Sequence, residues 1–161
     1  MAVHLETERL TLDLWRDTDA ADLRALHAER GTGEITLEQA QTTIAARKSD
    51  ITRTGISLLA LRRRDAGDFI GYCGLIIGRA SLEEPEIAYE LFKRAHGQGY
   101  ATEAARAVLD AAIATGRSRL WSTVRPWNAP SLRVLEKLGF DQDHVTTDDR
   151  GDIVWLTRTL L

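Results

Sequence analysis

The stretch that most restricts the fold is EIAYELFKRAHGQGYATEAARAVLDAA, residues 86–112. Residues 86–92, EIAYELF, read as a strand. From Tyr100 the text is alanine-rich and strongly helix-forming. Between the two stand Gly97 and Gly99, one residue apart. A chain that passes from strand to helix through bare backbone asks what comes that close to it. The first turn of a helix presents unpaired N–H groups and the positive end of its dipole. Glycines ahead of it let an anion such as a phosphate reach those groups. A plain tight turn with glycine before the helix also fits the spacing.

The other elements follow from pattern. RLTLDLW (9–15) alternates as a first strand, and Asp17 or Asp19 can cap a helix running to about Glu29. Thr36 and Gln39 form a capping box for a second helix to about Lys48. ISLLALRRR (56–64) and DFIGYCGLIIG (68–78) flank Asp65-Ala66-Gly67 as a hairpin, and 86–92 follows as a further strand. The helix after the glycines extends from about Gly99 to Thr115, with Gly116 ending it. SRLWSTV (118–124) is a strand. NAPSLRVLEKLG (128–139) is a helix with Asn128 as cap and Gly139 as terminator. FDQDHVTT and DIVWLTRTLL close the chain as a hairpin around DDRG. One mixed α/β domain with a central sheet spans residues 1–161.

Composition removes several function classes. The net charge is −3, against a general nucleic-acid or anionic-membrane binder. No run reaches transmembrane length, and MAVHLETERL has no apolar signal core. The single cysteine, Cys73, cannot form an internal disulfide, so the cytoplasm is the expected setting. It reads as core filler within an apolar strand. No Cys-x-x-Cys or His-Glu-x-x-His spacing suggests a metal.

Two phosphate motifs fail against the glycine segment. A Walker loop needs Gly-Lys-Ser/Thr, and Tyr100-Ala101 follows Gly99. A dinucleotide fingerprint needs glycine or alanine at its sixth position and an acid at the end of a second strand. Thr102 occupies that sixth position, and SRLWSTV carries no acid. A third pattern fits. The segment resembles the Arg/Gln-x-x-Gly-x-Gly/Ala signature of the GNAT-type N-acetyltransferases. Two registers match, Arg94 to Gly99 and His96 to Ala101, so either Arg94 or His96 faces the cofactor. NAPSLRVLEKLGF resembles the family's next helix through Asn128, Ser131, Lys137, Gly139 and Phe140. LETERLTLDLWRDTDAADL resembles the opening of the RimJ/RimL-like branch, the ribosomal-protein N-terminal acetyltransferases. The likeness covers nearly the whole chain.

The resemblance implies a GNAT fold. That is one mostly antiparallel, splayed sheet of about seven strands flanked by about four helices. It implies acetyl-CoA as co-substrate, with no metal, and direct acetyl transfer to an amine in a ternary complex. The pyrophosphate would lie against Gly97, Gln98, Gly99, Tyr100, Ala101 and Thr102. The pantetheine arm would enter a splay beside Glu90, Leu91 and Phe92, one of whose N–H groups polarises the thioester carbonyl. Asn128 would bind the pantetheine or only cap its helix, and Arg133 and Lys137 would meet the phosphates or form a solvated helix face. Ser131 matches the serine that serves the leaving thiolate.

The reaction needs a neutral amine. At pH 7, deprotonating a lysine of pKa ~10.4 costs roughly 4.6 kcal/mol, against about 1 kcal/mol for an α-amine near ~7.8. Glu86 is the candidate base, since the family often carries a glutamate on this strand. Glu90 shares its strand face and is the second candidate, ahead of His96 and His144. Trp127, Trp121 and Trp155 read as packing, and Trp15, near the end of the first strand, as packing or as a border of the acceptor pocket. The acceptor site is expected from residues 28–40 and 143–152. The acceptor itself, a protein N-terminal amine or a small amine, stays open, as does the choice between monomer and homodimer.

Overall fold

The computed structural model describes all 161 residues. In chain order the elements are β1 (Leu5–Glu6), β2 (Leu10–Asp13), α1 (Ala20–Ala28), α2 (Leu37–Thr54), β3 (Leu58–Arg63), β4 (Phe69–Ile76), β5 (Glu86–Leu91), α3 (Tyr100–Ala114), β6 (Arg119–Val124), α4 (Ala129–Lys137), β7 (Asp141–Asp148) and β8 (Gly151–Thr159). The eight strands make one sheet in the order β1-β2-β3-β4-β5-β6-β8-β7. Every neighbouring pair is antiparallel except β5 and β6. The additional strand is β1, which pairs Leu5 with Leu12 and Glu6 with Thr11. A two-residue strand is too short to show periodicity.

Local signals place most helix ends. Thr36 and Gln39 cap α2 reciprocally, with Gln39 N–H donating to Thr36 Oγ1 at 3.0 Å and Thr36 N–H to Gln39 Oε1 at 2.8 Å. The helix continues past Lys48 to Thr54, because Gly55 is the first breaker on its path. Asp19 does not cap α1 with its side chain. Its carboxylate instead accepts the Arg16 N–H at 2.8 Å and pairs with Arg62, both partners of that pair being buried. Asp17 lies on the surface with Lys48 at 2.7 Å.

Alternation along the strands divides the core in two. Leu10, Leu12, Leu59, Leu61, Cys73, Leu75 and Ile87 pack under α3 and α4. Trp15, Ala60, Phe69 and Phe92 pack with α1 and α2 on the other face. Trp15 is therefore core, with its indole N–H donating to Leu58 O at 3.0 Å, and does not border an open pocket.

The sheet opens between β5 and β6. Their only paired position is Glu86 with Trp121. Ser122 Oγ still reaches Ile87 O at 3.1 Å, and beyond that point the strands diverge. β5 stays on β4, helped by Gly71 (φ +153°), where a Cβ would lie 2.1 Å from Glu90 O. Only glycine permits that approach. The opening is flanked by the beginnings of α3 and α4.

Candidate active site

A cleft of about 720 Å³ fills the opening between β5 and β6. Its floor comes from the end of β5. Phe92 N–H donates to Ile70 O at 2.9 Å, and backbone direction alternates along a strand. Tyr89 and Leu91 therefore turn their N–H groups into the opening. Phe92 is excluded twice, since its N–H is used and its ring is buried against Phe69. Leu91 and Glu90 line the cleft.

One wall is the glycine loop. Gly97 (φ +74°) and Gly99 (φ +80°) both take the left-handed conformation, and the space where a Cβ of Gly97 would lie is open. No side chain caps α3, so the N–H groups of its first turn lack intrahelical acceptors. The loop is pinned from outside. Arg9 donates to Gln98 O at 2.9 Å and to Glu103 at 2.7 Å, with its guanidinium 4.4 Å from the Tyr100 ring centroid. His96 closes the loop from inside, its Nε2 2.9 Å from Leu91 O, which requires the proton on Nε2. These residues form a preorganised, glycine-open anion cradle that fits a pyrophosphate.

His96 lies at the cleft and Arg94 does not. Arg94 donates to Asp68 and to Phe69 O, each at 2.8 Å. Gln98 is also absent from the lining and sends its amide back to Arg94 O at 3.2 Å. Gly97, Gly99, Tyr100, Ala101 and Thr102 all line it.

The opposite wall is the start of α4. Asn128 Oδ1 accepts the Ser131 N–H at 3.3 Å, and Asn128, Ser131, Arg133 and Lys137 all reach the cleft. Lys137 also borders a shallow groove of about 530 Å³ along α3, shared with Arg106 and Thr102. Ser131 Oγ lies 3.0 Å from Tyr89 Oη. Burial pushes the Tyr89 phenol up to about 12, so it keeps its proton at neutral pH.

Glu86 is not brought to the cleft. It is 4% exposed, and its carboxylate accepts the Arg79 N–H and the Thr123 hydroxyl, each at 2.5 Å. It holds the turn after β4 against β6, at the point where the sheet begins to part. Glu90 is the β5 carboxylate that reaches the cleft. Arg30 grips it at 2.5 and 2.8 Å, and Tyr72 donates to it at 3.0 Å. Burial, then the Glu90 carboxylate, raises the Tyr72 phenol well above its ordinary value.

Of the expected acceptor segments, 28–40 contributes Glu29 and Arg30, while the 143–152 turn contributes nothing to the lining. His144 stacks on Trp155 at 5.0 Å, on the exposed outer strand. Trp121 packs against the same Trp155. Trp127 is 79% exposed and is not a packing residue.

Sequence reasoning missed Tyr89, Tyr72, Arg30 and Arg9. The period-2 rule that put Glu86 and Glu90 on one face put Tyr89 on the other, toward α4, so Tyr89 was within reach. Arg9 and Arg30 lie 89 and 60 residues from their partners Gln98 and Glu90, and no local pattern joins them.

Comparison with known proteins places the chain in a family and a fold. Residues 9–141 match the family model for the acetyltransferase (GNAT) domain. The chain is 36% identical over 87 residues to the uncharacterised protein YkkB of Bacillus subtilis, covering 53% of this chain and 51% of YkkB. It thus spans about half or less of the curated relatives it matches. An acetyltransferase of Agrobacterium tumefaciens superposes with a TM-score of 0.82 at 27% identity, covering 98% of this chain and 95% of that one. RimL, a ribosomal L7/L12 α-N-protein acetyltransferase solved with coenzyme A, gives 0.84 at 13% identity, covering 97% of each chain. The chain belongs to the GNAT acetyltransferase family.

Proposed function

We propose that this chain transfers the acetyl group of acetyl-CoA directly to a primary amine, with both substrates bound at once. The observation that carries the reading is the single cleft. It joins a glycine-open anion cradle, free backbone donors on β5 and the Ser131 hydroxyl. Acetyl-CoA supplies an activated acyl group. Gly97 and the first turn of α3 hold its pyrophosphate, with Arg133 and Lys137 placed for its phosphates. The Leu91 N–H polarises the thioester carbonyl, in a site where a fixed donor is worth more than water.

The base is a carboxylate of the cleft, and that is Glu90 rather than Glu86. The side chain of Glu90 shares the α1–α2 face with Tyr72 and Arg30, opposite Tyr89 and Ser131. An amine entering from that face meets the carbonyl between them. Glu90 takes the amine proton directly or through water. The amine nitrogen bonds to the carbonyl carbon, the carbon–sulfur bond breaks with its electron pair leaving on sulfur, and the Ser131 hydroxyl donates a hydrogen bond to the thiolate. The acceptor is a protein N-terminal amine or a small amine. An α-amine requires the lesser deprotonation.

Calorimetry with acetyl-CoA, alongside NAD and ATP, tests the cofactor. Micromolar binding of acetyl-CoA alone is expected, followed by thiol release with members of a panel of N-terminal peptides and small amines. Absence of acetyl-CoA binding, or preference for NAD or ATP, removes the reading.

A further inference from the structure

Ser131 is not an isolated hydroxyl. Tyr89 rises from β5 on the face that packs against α3 and α4, and its Oη lies 3.0 Å from Ser131 Oγ and 3.2 Å from Ser131 O. Both residues line the cleft at the split between β5 and β6. Each has one hydroxyl proton. With the cleft neutral, Tyr89 donates to the Ser131 carbonyl and Ser131 Oγ–H donates to Tyr89. When negative charge forms in the cleft, the pair can reverse. Ser131 Oγ–H turns outward, and Tyr89 O–H turns from the carbonyl to Ser131 Oγ.

Resting on the acetyltransferase reading, we propose that Tyr89 is a positioning residue that aims the Ser131 proton at the leaving thiolate. As the carbon–sulfur bond breaks, the electron pair goes to sulfur. Ser131 donates a hydrogen bond to it, and Tyr89 donates one to Ser131. No proton leaves Tyr89, because burial pushes its phenol up to about 12, well above a thiolate of pKa ~8.5. The proton lost by the amine balances the charge and finally neutralises the thiolate or passes to solvent. A chain of two hydroxyls ending on an anion polarises along its length and holds the charge better than one hydroxyl. The packed ring of Tyr89 fixes the geometry, and the helix cap at Asn128 fixes Ser131.

The test titrates the thiol of bound coenzyme A by its thiolate ultraviolet absorbance in wild type, Tyr89→Phe, Ser131→Ala and the double variant. Calorimetry and thermal melts run in parallel. Tyr89→Phe is expected to keep coenzyme A affinity and to raise the bound thiol pKa by about one unit, the size of one hydrogen bond to an ion. Ser131→Ala should raise it at least as far, and the double variant no further than Ser131→Ala alone. Ser131→Thr, which keeps the hydroxyl, should keep the low value. With acetyl-CoA and an accepted amine, Tyr89→Phe should lower kcat about tenfold and leave the KM for acetyl-CoA unchanged. Bound thiol that titrates alike in wild type and Tyr89→Phe overturns the proposal. So do losses that multiply in the double variant, since Tyr89 would then act without Ser131. Coenzyme A that fails to bind wild type overturns the acetyltransferase reading itself, and the proposal with it.

Discussion

Replacing Gly97 with alanine separates the structural role of the loop from its role in binding. Gly97 has φ +74°, and a Cβ there meets nothing within 4 Å. The cost to the free protein is therefore backbone strain alone. An L-residue in this region costs about 1–2 kcal/mol, or about 2–8 °C in Tm for a chain of this size. Binding should suffer more. A backbone N–H bonded to a charged phosphate contributes about 1.5–3 kcal/mol, and a methyl group in the open space keeps the phosphate from such donors. One lost contact corresponds to about a 10- to 150-fold rise in Kd for acetyl-CoA. Gly116→Ala is the matched control. Its φ is +81°, a Cβ there also meets nothing, and it lies at the far end of α3. Both variants should melt earlier by similar amounts in differential scanning fluorimetry. Only Gly97→Ala should weaken acetyl-CoA in calorimetry. Equal affinities in the two variants would refute the argument that a phosphate approaches this backbone.

Other expectations follow from the same contacts. Asp19→Ala leaves the Arg62 charge buried without its carboxylate and should cost about 3–5 kcal/mol in urea unfolding; a loss below about 1 kcal/mol contradicts the buried pair. Glu90→Gln should lower kcat with little change in stability, whereas Glu86→Gln should chiefly lower Tm, and the reverse pattern returns the base to Glu86. Asp68 is held below the usual carboxylate range, first by the Arg63 guanidinium and then, against some desolvation, by Arg94. A depressed folded value adds stability that is full above the unfolded pKa of ~3.9 and is lost as pH falls through the lower folded value. Asp68→Asn should therefore flatten the acid limb of stability against pH below about pH 5, and an unchanged limb dismisses the triad.

How legible the protein was depends on how far each signal reaches along the chain. The capping box of α2, the glycine terminators and the period-2 strands act over a few residues. They appear in the fold close to where the sequence puts them. The same holds for the glycine loop and for Asn128 and Ser131, the cap and the third residue of α4. Helix α2 ran further than expected because polar residues without a breaker do not end a helix. Trp127 was misplaced because an aromatic residue beside a helix cap carries no periodicity to say which way it faces.

The sequence by itself determined the order of elements, the bare backbone before α3 and the two-motif likeness to one family. Each depends on neighbours in the chain, so each could be read there. Only the tertiary structure decided which residues meet. It set Glu86 against the turn after β4 and Glu90 in the cleft. It turned His96 inward and Arg94 to Asp68, brought Arg30 across to Glu90, and laid Tyr89 against Ser131. All of these follow from where β5 leaves β6. A parallel pair joined at one position parts according to the packing of whole layers on either side, and no short stretch of sequence encodes that.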